Sequence, residues 1–151
     1  MIRTTLRRVV VSTVRETVDT YSIGRTVRTA TDAAGMFRAL LGTDPREHFL
    51  ALYLDVRHVP LGAHVVSIGT AGSAVAHPRE VFGPAVALSA SAIIIAHNHP
   101  SGDPSPSGDD RAVTDRMRKA GEILGIDVLD HVILGEGRIY SFAEEREILG
   151  Y

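Results

Sequence analysis

His97 and His99 stand two residues apart at the end of a strongly apolar run, residues 91–96, which holds three consecutive isoleucines. On an extended backbone two such side chains project from the same face. Neutral imidazoles together with a carboxylate suit a divalent metal such as zinc. Asp103, Asp109 and Asp110 follow in and after a loop of small residues, and Asp110 lies three residues beyond Ser107, where a polar, helical pattern begins. A set of only three protein ligands keeps a position open for water, which is the catalytic arrangement. Taken singly, each part has a plainer meaning. A His-x-His pair at a strand end is commonly surface histidine. Ser107-x-x-Asp110 has the form of a helix N-cap with an acidic residue three on, close to a capping box. Asp103 and Asp109 suit a solvated loop. Together, with nothing bulky between them, they make a composite signal for a metal site.

Several elements must position these residues. Residues 91–97 read as the buried strand that delivers the histidines, and residues 107–124 as the following helix, with Ala112, Met117, Ala120 and Leu124 inward. Residues 47–55 are nearly all apolar and suit a central strand covered on both faces, opened by Glu47. Residues 63–69 pair with it as a hairpin across a turn at 57–60. His58 and His64 read as surface residues. Residues 31–41 predict a helix with Thr31 as N-cap and Gly42 as its stop. His77-Pro78 opens another helix, with proline at the first helical position, running to about residue 90 in spite of the breaker Pro84. Residues 126–134 form a strand, residues 135–138 a tight turn into a hairpin strand at 139–142, and residues 143–149 a short helix. Residues 6–14 read as a strand, 16–28 as loop or weak strand, and 70–76 as small and flexible. Helices interspersed among strands and hairpins predict one mixed sheet packed by helices.

Composition narrows the chemistry. The 151 residues fit one domain with its own core. Cysteine is absent, which excludes a disulfide framework and a thiolate zinc site. No apolar run approaches the roughly 20 residues of a membrane span, and the N-terminus shows no apolar signal-peptide core, so the expected location is the cytoplasm. Residues 1–40 carry seven arginines against Glu16, Asp19 and Asp32, a net of +4, while the whole chain is at −2. A basic arm of this kind suits an acidic partner or nucleic acid. It also suits the solvated face of a strand, and no aromatics interleave to stack on bases.

The string His97-x-His99-Pro100, a short gap, then Ser107-x-x-Asp110 resembles the JAMM motif of the JAB/MPN metalloprotease superfamily. The fuller His-Asn-His-Pro-Ser-Gly-Asp-Pro-x-Pro-Ser is similar to its RadC branch. The likeness extends to Glu47-His48-Phe49 and Leu54-Asp55 upstream, and to Asp130-His131-Val132-Ile133-Leu134-Gly135 and Tyr140-Ser141-Phe142 downstream, over residues 30–143. It implies an α/β fold of α+β type, one mixed sheet in the cytidine-deaminase-like JAB/MPN architecture. A metal-dependent hydrolase domain would span residues 29–151, with a basic arm over 1–28. The resemblance further implies one zinc ion held by His97, His99 and Asp110, with Glu47 as general base and Ser107 donating a hydrogen bond to the oxyanion. The reaction would be hydrolysis of a peptide or isopeptide amide in a protein or peptide substrate. Residue types alone do not choose Glu47 over Asp44 or Asp55.

A second reading comes from the same branch. RadC relatives carry a DNA-repair label, which would make the chain a nucleic-acid-binding module without peptidase activity. Longer relatives have an N-terminal helix-hairpin-helix region, and residues 1–45 show no such pattern. Other enzyme classes fail on residues. An HNH nuclease spreads its three residues over a ββα unit, whereas here the letters are adjacent. Zinc deaminases need a Pro-Cys-x-x-Cys, and no His-Glu-x-x-His occurs.

Overall fold

A computed structural model describes residues 26–69 and 76–146. Among them lie three helices, α1 (Ala30–Leu41), α2 (Pro78–Ala87) and α3 (Gly108–Leu124), and five strands. The strands are β1 (Glu47–Leu54), β2 (Pro60–Gly69), β3 (Ala92–Asn98), β4 (Asp127–Leu134) and β5 (Ile139–Ser141). They form one mixed sheet in the order β2-β1-β3-β4-β5. The pair β3–β4 is parallel, joined by the α3 crossover, and the remaining pairs are antiparallel. This is the α+β, helix-packed mixed sheet expected from the sequence. The expected strand at 6–14, most of the basic arm and the small-residue stretch at 70–75 lie outside the described residues.

The strict alternation of β1 and β3 divides the core between two helical layers. Leu50, Leu52, Leu54, Ala92, Ile94 and Ala96 pack with Ala33, Ala34 and Phe37 of α1. Phe49, Ala51, Tyr53, Ile93 and Ile95 pack instead with Val81, Phe82 and Ala85 of α2 and Met117 of α3. His97 continues the odd-numbered series, so it points to the α2/α3 side, towards the start of α3. On regular pleating, β4 would set Asp130 against Ile95. A register irregularity between Ile93 and Ile94 inserts Leu129, so His131 pairs with Ile95 and Ile133 with His97. That single extra residue turns His131 onto the face of His97.

Local chemistry accounts for the helix ends, and some differ from expectation. The α1 cap is Thr29, not Thr31: its side chain accepts from the Asp32 N–H while Asp32 accepts from the Thr29 N–H, a full capping box. Helix α2 starts at Pro78 as expected but stops at Ala87, short of residue 90. Ser89 adopts φ +53°. Its N–H donates to Val86 and that of Ala90 to Ala85, a Schellman closure. Pro84 is accommodated near the end of this helix. In α3 the buried residues are Thr114, Met117 and Gly121. Ala112 and Leu124, expected inside, are exposed, because the face turned inward runs through residues 114, 117 and 121. A Cβ at Gly121 would lie 2.4 Å from the Ile126 carbonyl oxygen. Strand β5 stops at Ser141 rather than residue 142. Residues 143–146 form turns instead of a helix, and residues 147–149 lie outside the described chain.

Candidate metal centre

Three elements converge at one end of the sheet. Strand β3 ends in His97 and Asn98, and the chain continues through His99 into a loop pinned against β4: the His99 N–H donates to the Leu134 carbonyl and the Glu136 N–H to that of Gly102. Gly135 lets this loop lie close, since a Cβ there would come 2.5 Å from the Gly102 oxygen and 2.7 Å from Pro104 Cδ. The loop then delivers α3 with Ser107 as its N-cap.

Here the structure brings His97, His99 and Asp110 together, with one ligand atom from each lying within 4.8 Å of the others. His97 Nε2 is 2.9 Å from His99 Nε2 and 3.1 Å from Asp110 Oδ1. His99 Nε2 is 3.4 Å from Asp110 Oδ2. Ring protonation can be assigned from the outer nitrogens. His99 Nδ1 faces the Asp103 carbonyl at 2.8 Å, an acceptor only, so Nδ1 carries a hydrogen and Nε2 is the nitrogen turned inward. Two imidazole nitrogens and a carboxylate packed this closely could hold a metal ion among them, and the donor set suits a divalent ion with borderline-to-hard preference.

Asp110 is held by the helix it begins. Its Oδ2 accepts from the Ser107 N–H at 2.7 Å, and its own N–H donates to Ser107 Oγ at 3.1 Å. Burial alone would raise the Asp110 pKa. The His97 ring and the Ser107 N–H outweigh it and hold the carboxyl well below the usual carboxylate range. The positive end of the α3 dipole acts in the same direction. The capping box and the ligand assignment are therefore compatible: one carboxylate oxygen closes the cap while the other faces His97.

Glu47 opens β1. Phe49 pairs with His97 across the ladder, and the two rings lie nearly parallel at 6.1 Å. By the period of two, Glu47 shares the face of Phe49 and thus of the histidines. Asp55, at the far end of the same strand, is removed from the site and instead accepts from the Arg57 and Val59 N–H groups of the hairpin turn. Asp44 is tied up with Arg46. His58 and His64 are exposed, as expected.

Two neighbours did not stand out as functional in the sequence. Asn98, between the two histidines in sequence, is buried; its Oδ1 accepts from the His48 N–H at 2.7 Å and its Nδ2 donates to the Arg46 carbonyl at 2.9 Å. One side-chain amide thus grips both peptide units that flank Glu47. His131 is fully buried, stacked on Phe142 with ring centroids 5.0 Å apart, and its Nε2 lies 2.8 Å from His97 Nδ1. Burial, seconded by the neighbouring His97, pushes its pKa well below the ordinary histidine value, so the ring is neutral. Asp130 accepts from Ser141 Oγ and from the Ala143 N–H, fixing the residues on either side of Phe142. The sequence signal for both was the Asn between the two histidines and the Asp130-His131 pair in a strand. Neither carried a role until the bulge at Leu129 and the fold brought them to the site.

Residues 27–148 match the RadC-like JAB domain. The chain belongs to the RadC-like JAB domain family. Among its curated relatives is a UPF0758 protein of Desulforamulus reducens, 48% identical over 115 residues, which are 76% of this chain and 51% of the relative. Another, from Moorella thermoacetica, is 48% identical over 130 residues, 85% of this chain and 56% of the relative. A third, from Methanococcoides burtonii, is 46% identical over 121 residues, 80% of this chain and 53% of the relative. The RadC-like JAB domain thus spans about half the length of the curated relatives it matches. Among the described residues no helix is long and apolar enough to cross a membrane.

Proposed function

We propose that this RadC-like JAB domain is a zinc-dependent hydrolase of peptide or isopeptide amides. The observation that carries the reading is the convergence of His97, His99 and Asp110 at one strand end and one helix start. These three residues would hold the ion and leave a position for water. When bound, zinc supplies the Lewis acidity that makes water a nucleophile near neutral pH. Glu47, on the same face of the sheet, accepts the proton of the attacking water and passes it to the leaving amine. Ser107 uses an oxygen lone pair for the helix cap, and its hydroxyl hydrogen donates to the oxyanion as the scissile carbonyl becomes tetrahedral. Asn98 keeps Glu47 at a fixed height above the histidines.

The test is to incubate the zinc-loaded protein with a library of peptides and isopeptide-linked conjugates and to identify products by mass spectrometry. Cleavage is expected that disappears with a chelator, returns with zinc and is lost in Glu47→Gln. Cleavage indifferent to chelation and to Glu47→Gln, or none across the library, would overturn the assignment.

A further inference from the structure

We infer that Thr114 and His131 form a hydrogen-bond relay that fixes the metal-binding tautomer of His97, anchored on the backbone of Asp110 itself. The inference rests on the metal reading of His97, His99 and Asp110 and assigns a role to residues outside that set.

The relay can be followed from an atom with no choice. The Asp110 carbonyl oxygen can only accept, and Thr114 Oγ1 lies 2.7 Å from it, so the single hydroxyl hydrogen of Thr114 is committed there. Thr114 Oγ1 is also 2.6 Å from His131 Nδ1. Having spent its hydrogen, the hydroxyl must accept, and His131 Nδ1 must carry the proton. The His131 ring is wholly enclosed, against Phe142 and Phe49, and in its neutral form Nε2 bears a lone pair. That lone pair meets His97 Nδ1 at 2.8 Å, so His97 donates from Nδ1. That leaves Nε2, which faces Asp110 Oδ1 and His99 Nε2, as the nitrogen a metal would take in place of any proton there.

Every bond has one consistent direction: His97 to His131 to Thr114 to the Asp110 carbonyl. The path starts at one ligand residue and ends on the backbone of another, four residues before Thr114 on α3. Moving the helix would therefore disturb the ring orientation of His97 and the carboxylate together. His131 and Thr114 touch no substrate position; they act through His97 and are positioning residues. Outer-shell partners of this kind typically change metal affinity about 10–100-fold when removed.

Two readouts test this without any substrate. Long-range ¹H–¹⁵N correlation spectra of the zinc-free full chain should show a hydrogen on Nδ1 of both His97 and His131. Zinc affinity, measured by competition with a chromophoric chelator, should weaken about 10–100-fold in Thr114→Val, which keeps the shape but neither accepts nor donates. Thr114→Ser should restore affinity to within a few fold of wild type. His131→Phe, whose ring can fill the stack on Phe142, should weaken binding as Thr114→Val does. A His97 or His131 ring with no hydrogen on Nδ1 in the zinc-free protein, or wild-type affinity in a folded Thr114→Val, would overturn the relay while leaving the metal site intact. A wild-type chain that takes up no zinc would overturn the underlying metal reading and the relay's purpose with it. The wild-type spectra need no variant, so misfolding of a substituted chain cannot hide the answer.

Discussion

Ser107 is given two duties, and they can be separated by substitution. Its oxygen caps α3 through the Asp110 N–H, and its hydroxyl hydrogen is assigned to the oxyanion. Replacing a serine N-cap by alanine costs about 1 kcal/mol, whereas glycine costs only a few tenths. For a domain of this size, about 1 kcal/mol lowers Tm by roughly 3 °C. Neither change depletes the folded fraction noticeably when total stability is about 5–15 kcal/mol. Both variants lose the hydroxyl, and the loss of one oxyanion donor typically costs about 10²–10³ in turnover. Ser107→Ala and Ser107→Gly should therefore fall together in kcat by about 10²–10³ while differing in Tm. Ser107→Thr should restore both properties. Zinc affinity should change little, because Asp110 Oδ2 still accepts from the backbone N–H of residue 107. Thermal denaturation, chelator competition and turnover of a peptide found in the library screen supply the data. Near-wild-type turnover by Ser107→Gly would refute the oxyanion role. A collapse of zinc affinity in Ser107→Ala would show that Ser107 serves only the ligand's geometry.

Removing the Asn98 amide leaves the His48 N–H and the Arg46 carbonyl without that partner. Asn98→Ala should cost about 1–3 kcal/mol in urea unfolding and lower kcat with zinc affinity retained; unchanged kcat would remove Asn98 from the positioning of Glu47. His131 has a folded pKa below its unfolded value of about 6.5. The unfolded chain then binds the extra proton, so stability is present above that pH and falls as pH drops below it. The slope is at most about 1.4 kcal/mol per pH unit. Zinc-free urea midpoints from pH 7.5 to 5 should show this component in wild type and lose it in His131→Phe; identical profiles would contradict it. Gly135→Ala puts a Cβ 2.5 Å from the Gly102 oxygen and should destabilise by about 1–3 kcal/mol while weakening zinc binding through the displaced loop. A crystal structure of that variant with an unmoved loop would count against this.

Much of the site was legible because its residues are local. His97 and His99 share a face by strand period alone, and the Ser107–Asp110 spacing marks both a cap and a candidate ligand. The apolar runs around Phe49 and Ile94 announced central strands. What stayed hidden depends on distance or on single residues. Glu47 precedes His97 by fifty positions, and only the antiparallel pairing of β1 with β3 sets it on the histidine face. The contribution of His131 hangs on one bulged residue, Leu129, which reverses the parity of β4. The inward face of α3 was misread because apolarity favoured Ala112 and Leu124. The helix instead buries Thr114 for its hydroxyl and Gly121 for its lack of a side chain. The α1 start was missed by two residues because Thr29 and Thr31 both suit a cap, and only Thr29 has an aspartate three positions on.

The most direct test of the account is metal content. The purified chain, loaded with zinc and dialysed, is measured by mass spectrometry beside His99→Ala and Asp110→Ala, with folding checked by circular dichroism. About one zinc per wild-type chain is expected, with its loss from both folded variants. No uptake by wild type, or equal uptake by the variants, would reduce His97, His99 and Asp110 to a strand end and a helix cap.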